Sequence, residues 1–171
     1  MNANERRSQI IAMLQGRVEL LNASKMAEKL GVSRQVIVTD IALLRARGHN
    51  ILSTPRGYLL ECTQSNGYVG TILCRHGKEA IRDEFYQIVD YGGEVLDVSI
   101  DHPIYGLISA ALHIRSRYDA DSFIQVIEKE TALPLSALTE GFHTHKIRTE
   151  SVEDFERIKK ALNEKNILEK E

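Results

Sequence analysis

The first stretch of the chain alternates polar and apolar residues with the spacing of an α-helix. Ile10, Ile11 and Leu14 follow a run of polar residues, which predicts a helix with one buried stripe. Gly16 ends this pattern, and residues 18–21 are predicted to form a short extended connector.

Two further helices are predicted, separated by a short turn. Asn22 or Ser24 can cap the second helix, and Gly31 is placed to end it in the left-handed conformation. Ser33 then caps a third helix over residues 34–46. Helix, short turn with glycine, and helix is the order of a helix-turn-helix.

The third helix has one apolar and one polar face. Ile37, Ile41 and Leu44 recur at helical spacing and are predicted to face the core. On the other face, Arg34 suits guanine and Gln35 suits adenine, each contact discriminating by about 1–3 kcal/mol. The alternative is an ordinary solvated helix face. The residues predicted to contact DNA are Ser33, Arg34, Gln35, Thr39, Arg45 and Arg56.

A hairpin is predicted directly after this helix. Two short β-type runs within residues 51–60 flank Thr54-Pro55-Arg56-Gly57, where proline provides the bend and glycine permits a positive φ. This hairpin is the wing of a winged helix-turn-helix. Arg56 at its tip is placed to contact a phosphate or the minor groove, whereas Ser33 and Thr39 are expected to hold phosphates.

After residue 62 the pattern changes to strands separated by helices. The predicted strands are 68–74, 95–100 and 141–149, and the predicted helices are 77–91, 107–114, 121–130 and 152–165. This order indicates an α/β sandwich with its own core. The sequence therefore predicts an α+β protein with a winged helix-turn-helix domain at residues 1–62 and a second domain at residues 63–171.

Charge divides along the same boundary. Residues 1–62 carry nine Lys and Arg against five Asp and Glu, a net charge of +4, and residues 63–171 carry 13 against 19, a net charge of −6. The imbalance is modest, but it agrees with an N-terminal domain that meets duplex DNA.

Composition bears on the compartment. No apolar run approaches the roughly 20 residues that span a bilayer, so no membrane partner is expected. Cys62 and Cys74 have no metal-ligand spacing, and we expect two inert thiols in a reducing cytoplasm.

The histidines of the second domain are the candidates for chemistry. His143 and His145 are separated by one residue on a predicted strand, so both imidazoles lie on the same face. His76 ends an earlier strand and can fold back toward Glu84 on the following helix. Three imidazoles and one carboxylate suit a divalent transition metal. The alternative is an exposed strand with polar residues, and the spacing does not prove that these groups converge.

Several segments resemble known families. Residues 30–48 and 56–60 resemble the winged-helix domain of many bacterial repressors, including the biotin repressor. His76-Gly77 with Glu84, the segment 101–106 and the segment 134–145 resemble the three-histidine (3H) domain. The whole chain resembles the niacin-responsive repressors of Gram-positive and related bacteria.

That resemblance implies a transcriptional repressor and not an enzyme. It implies a homodimer on double-stranded operator DNA of niacin uptake and NAD-synthesis genes, with nicotinic acid as co-repressor. It also implies a bound divalent metal, for which nickel and zinc are the favoured ions. The positions that match the family's ligands are His76, Glu84, His143 and His145.

Nicotinic acid fits such a site because its pyridine nitrogen can ligate a metal and its carboxylate needs a cation or a helix N-terminus. His102 and Tyr105 are candidates to line the effector site; alternatively His102 is a turn residue before a proline that starts a helix. Arg115 and Arg117 are either carboxylate partners or surface charges.

Two other functions use the same residues. A metallohydrolase with an appended DNA-binding domain could activate water on the metal, but no general base or nucleophile motif accompanies the ligands. A repressor that senses the ion itself is the second alternative.

Overall fold

The computed structural model describes residues 2–15, 20–61, 67–130 and 133–169. Residues 1–64 and residues 65–171 form two separate units. The helices are α1 Ala3–Leu14, α2 Ala23–Leu30, α3 Arg34–Ala46, α4 Ile81–Asp90, α5 Arg117–Lys129 and α6 Val152–Glu164. The strands are β1 Ile51–Thr54, β2 Gly57–Leu60, β3 Tyr68–Arg75, β4 Glu94–His102, β5 Gly106–Ile114 and β6 Phe142–Thr149. The predicted α+β class is confirmed.

Side-chain caps define the helices of the first unit. The side chain of Asn22 accepts a hydrogen bond from the backbone of Lys25 and begins α2, and Gly31 ends it with a φ of 65°. Ser33 accepts a hydrogen bond from the backbone of Val36 and begins α3. The predicted helix-turn-helix is confirmed.

The core of this unit lies between the three helices and the wing. Ile37, Ile41 and Leu44 are buried, as the apolar stripe of α3 predicts. β1 and β2 pair as an antiparallel hairpin, and Leu21 adds a bridge to Tyr58 beside it. Gly16, predicted to end the first helix, and residues 18 and 19 of the predicted connector lie outside the described residues.

An ion-pair cluster joins α1 to α3. Asp40 is buried, and its two carboxylate oxygens lie 2.5 Å from Nε of Arg6 and 3.1 Å from a terminal nitrogen of Arg7. Burial acts to raise the pKa of Asp40, but the two guanidinium groups outweigh it and hold that pKa below its usual value.

We expect Asp40→Asn to destabilise the first unit by about 3 kcal/mol, because two largely buried guanidinium groups lose their counter-charge. Urea unfolding of the full chain, followed by circular dichroism, measures the change. Glu28→Gln, which removes an exposed carboxylate from α2, is the control and should leave the transition in place. Equal transitions for both variants would show that the cluster contributes no stability.

The second unit is a four-stranded antiparallel sheet in the order β3-β6-β4-β5. α4, α5 and α6 contribute side chains to one core with the sheet, including Phe85, Ile124 and Ile158. On β6, residues 143, 145, 147 and 149 are buried and alternate with more accessible ones. The helices therefore cover one face of the sheet, as expected for an α/β sandwich.

One predicted element is wrong. Residues 107–114 were expected to form a helix, but they belong to β5. β5 pairs with β4 along its length, with Gly106 opposite His102 at one end and Ile114 opposite Val95 at the other. The apolar run contains alanines that favour a helix, and pairing with β4 overrides that preference. Residues 103–105 consequently form a turn between two strands, and Pro103 does not start a helix. A short 3₁₀ helix, Leu135–Thr139, was not predicted.

A half-buried carboxylate links three strands of the sheet. Glu94 lies 2.9 Å from Nδ1 of His113, 3.0 Å from Nε of Arg115 and 3.1 Å from a terminal nitrogen of Arg148. Burial acts to raise the pKa of Glu94, but hydrogen bonds from His113 and charge from Arg115 lower it from 4.5 to about 2.

We expect Glu94→Gln to lower the free energy of unfolding by about 1–3 kcal/mol at pH 7, because charge-assisted hydrogen bonds are lost. The pKa is depressed in the folded state, so the carboxylate stabilises the fold above about pH 4.5 and loses this effect as pH falls toward 2. Urea unfolding at pH 7, 4 and 3 should show a difference from the natural protein that shrinks with acidity. Glu150→Gln, at an exposed site, is the control. A difference independent of pH would contradict this assignment.

Candidate functional site

The structure brings the four predicted metal ligands together inside the second unit. β6 directs His143 and His145 toward the helix-covered face, where they are 4% and 2% exposed. Glu84 is buried on α4, and His76 follows β3. The alternative of an exposed polar strand is therefore wrong.

Gly141 positions the loop that carries His76. Its carbonyl accepts a hydrogen bond from the backbone nitrogen of His76 at 3.3 Å. A Cβ on Gly141 would lie 2.7 Å from the carbonyl oxygen of His76, and φ here is +90°. Only glycine allows this close approach, which holds the end of β3 beside the start of β6.

Glu84 lies at the centre of the three imidazoles. One carboxylate oxygen is 2.9 Å from Nε2 of His76, and the other is 3.5 Å from Nε2 of His143 and 3.3 Å from Nε2 of His145. All three rings thus direct the same nitrogen, Nε2, toward one carboxylate.

Backbone carbonyls fix the other nitrogen of every ring. Nδ1 of His76 donates to the carbonyl of Gly77 at 2.9 Å, that of His143 to Gly141 at 2.8 Å, and that of His145 to Asp97 at 2.5 Å. A carbonyl oxygen can only accept, so each Nδ1 must carry the hydrogen. In the neutral ring, Nε2 then has the free lone pair that a metal ligand needs.

Several buried polar atoms in this cluster make no hydrogen bond of acceptable geometry. They are Nε2 of His76 and both carboxylate oxygens of Glu84. Nε2 of His76 nevertheless lies only 2.9 Å from one of these oxygens. Buried polar groups without partners are rare in proteins, and a bound ion is one of the standard explanations. Three imidazole nitrogens and one carboxylate oxygen are a donor set that divalent transition metals accept.

Glu84 and two of the imidazoles, those of His76 and His145, shift each other's pKa values. Burial acts to raise the pKa of Glu84, but the charge of His145 and the other imidazoles hold it well below its usual value. Burial acts to lower the pKa of His76 and of His145, but Glu84 outweighs it and raises both. Without a metal, a buried carboxylate and protonated imidazoles therefore stabilise one another.

One further candidate donor lies beside this cluster and was not predicted as one from the sequence. Sγ of Cys74 and donor atoms of His76, Glu84 and His143 all lie within 4.8 Å of one another. Cys74 is fully buried, and burial followed by the charge of Glu84 raises the pKa of its thiol. Its position near the end of β3, two residues before His76, is the sequence signal that pointed to it.

Three of the six residues predicted to contact DNA are exposed on one end of α3. They are Arg34, Gln35 and Thr39. Thr39 also donates its hydroxyl hydrogen to the carbonyl of Gln35 at 3.0 Å. The hydroxyl oxygen of Ser33 caps α3, so this side chain has a structural role whether or not it also contacts a phosphate.

Arg45 connects α3 to the wing. Its guanidinium donates to the carbonyl of Ile51 at 2.6 Å and to the hydroxyl of Ser53 at 2.8 Å. These bonds orient the hairpin relative to the helix. Arg56 lies in the turn between β1 and β2, as predicted, and its backbone nitrogen donates to the Thr54 hydroxyl at 3.2 Å.

The predicted effector residues lie at the turn between β4 and β5. His102 and Tyr105 stack with their ring centroids 5.0 Å apart, and Tyr105 is 75% exposed. Ser99 pairs with Thr144, so these two side chains lie on the same face of the sheet. His102 is three residues after Ser99 and His143 is next to Thr144, so both lie on the opposite face. Arg115 pairs with Glu94, and Arg117 pairs with Asp90, which favours structural roles for these two arginines.

Each of the two units matches a known protein family. Residues 69–171 match the 3H domain family and residues 6–59 match a helix-turn-helix (HTH) domain family. A probable transcription repressor, NiaR, of Thermotoga maritima is 38% identical over 164 residues, covering 96% of this chain and 93% of the relative. The transcription repressor NadR of Bacillus subtilis is 37% identical over 174 residues, covering 100% and 96%.

The chain belongs to the niacin-responsive repressor family.

As a member of this family, the chain is a DNA-binding transcription repressor. The relatives are repressors and not enzymes, so the prediction of a regulator over a metallohydrolase is confirmed. Within the described residues, no helix has the length and apolarity needed to cross a membrane.

Proposed function

We propose that the 3H domain of this repressor holds a divalent transition metal, nickel or zinc, through His76, Glu84, His143 and His145. The observation that carries the proposal is the common orientation of the three rings. Each Nδ1 is held by a backbone carbonyl, and each Nε2 is directed at a buried carboxylate that lacks hydrogen-bond partners. Such outer hydrogen bonds orient metal-binding histidines and raise their basicity.

We propose nicotinic acid as the co-repressor. Its pyridine nitrogen is a suitable ligand for the same class of metal, which supplies a Lewis-acidic anchor for the ring. His102 and Tyr105 share a stacked arrangement on an accessible turn, which supports a role in lining the effector site.

The DNA-binding form is proposed to be a homodimer on operators of niacin uptake and NAD-synthesis genes. A dimer would hold two recognition helices about 34 Å apart, one turn of duplex DNA. Exposed apolar side chains at and after the β4–β5 turn are a candidate contact surface: Ile104, Tyr105 and Leu107 are 79%, 75% and 74% exposed. The effector must bind the DNA-competent form more tightly than the other form.

Gel-shift assays separate this function from its alternatives. The DNA is the promoter region of a niacin-uptake gene, and the protein is used as purified, after chelation, and after metal restoration. We expect a shifted complex that requires both the metal and nicotinic acid. A DNA shift that requires the metal but is unaffected by nicotinic acid would instead support a repressor that senses the ion. Binding that is indifferent to both would contradict the proposal.

A further inference from the structure

Cys74 lies beside the proposed metal ligands and was expected to be an inert thiol. It is on β3 directly opposite His143 on β6, so the two side chains share the helix-covered face of the sheet. The segment after α6 covers the outer edge of β3 here, with a bridge between Cys74 and Leu168. Cys74 is consequently fully buried.

The distances suit coordination. Donor atoms of Cys74, His76, Glu84 and His143 lie within 4.8 Å of one another. Around a metal with metal–nitrogen bonds of about 2.0 Å and metal–sulfur bonds of about 2.3 Å, neighbouring donors are roughly 3–3.5 Å apart.

A second, independent observation points to a ligand at this place. Both carboxylate oxygens of Glu84, a residue only 1% exposed, and Nε2 of His76 are buried without hydrogen-bond partners. Cys74 therefore borders a group of polar atoms that already require a partner, and it is not an isolated thiol in an apolar core.

We propose that Sγ of Cys74 is an additional ligand of the metal held by His76, Glu84, His143 and His145, so that the centre contains one sulfur donor. The proposal rests on the metal site described under the proposed function. When the metal–sulfur bond forms, the S–H bond breaks and its proton passes to solvent. A sulfur donor favours zinc, nickel and cobalt over magnesium, calcium and manganese.

Cobalt substitution tests this assignment. The full-length protein is loaded with one equivalent of Co²⁺ under anaerobic, reducing conditions, and its absorption spectrum is recorded. Visible d–d bands stronger than those of free Co²⁺ report cobalt bound by the protein in a four- or five-coordinate centre. A near-ultraviolet charge-transfer band reports a sulfur–cobalt bond. We expect both features in the natural protein.

The variants identify the sulfur. Cys74→Ser and Cys74→Ala should keep the d–d bands and lose the charge-transfer band, whereas Cys62→Ser, the matched control, should keep both. We also expect Cys74→Ser to bind Zn²⁺ about 10- to 100-fold more weakly, a loss at least as large as that of an outer-shell partner.

Two results would overturn the assignment. One is a natural protein whose cobalt form shows d–d bands without a charge-transfer band. The other is a charge-transfer band that survives in both Cys74 variants. Failure of the natural protein to retain Co²⁺ through gel filtration is a different outcome, because it would refute the metal site itself together with the sulfur ligand.

Discussion

The Glu84→Gln protein is expected to bind nickel or zinc more weakly than the natural protein, by a factor on the order of 100 or more. Changes outside the ligand shell already cost about 10- to 100-fold in metal affinity, and Glu84 is the one carboxylate of the cluster. The substitution keeps the shape of the side chain and removes its charge. Competition with a chromogenic chelator measures the affinity.

Asp83→Asn is the matched control, since it removes a carboxylate from the adjacent, exposed position of the same helix. It should bind the metal as the natural protein does. In the metal-free form, Glu84→Gln also removes the charge that raises the pKa of His76 and His145, so NMR should find both rings titrating at lower pH. Equal metal affinity in the two variants would contradict the proposed site.

The second large effect is expected at the start of α3. Arg34→Ala should weaken binding to the operator about 10- to 100-fold, because a bidentate contact to guanine is worth about 1–3 kcal/mol. Arg34 is exposed in the first turn of α3, where side chains reach base edges in a helix-turn-helix. Fluorescence anisotropy measures binding to a duplex selected by the natural protein from a random library.

An unrelated duplex distinguishes reading of bases from contact with phosphates. Arg34→Ala should lower affinity for it much less than for the selected duplex, because base contacts carry sequence information and phosphate contacts do not. Arg157→Ala, an exposed arginine of α6 in the other unit, is the control for net charge. An equal loss on both duplexes would assign Arg34 to the phosphate backbone.

The helix-turn-helix could be predicted because its signals are local. Asn22, Gly31 and Ser33 cap or end helices through bonds to residues three or four positions away, and the apolar stripe of α3 is periodic. The wing could be predicted from one turn sequence. In all these cases the residues that decide the structure are close in the chain.

The second unit shows where local signals fail. The segment 107–114 is apolar and contains alanines, so helix and strand are both plausible until its pairing with β4 is known. The position of Cys74 could not be predicted for the same reason. Its proximity to His143 follows from the register between β3 and β6, which are more than 60 residues apart in the chain. His143 and His145 could be predicted to share a face because alternation along one strand suffices.

Direct titration of nicotinic acid into the full-length protein, followed by isothermal calorimetry, tests the central claim that the effector site is built on the metal cluster of His76, Glu84, His143 and His145. We predict binding to the metal-loaded protein, loss of that binding after chelation, and recovery when nickel or zinc is restored. Unchanged binding of nicotinic acid by the metal-free protein would contradict the claim.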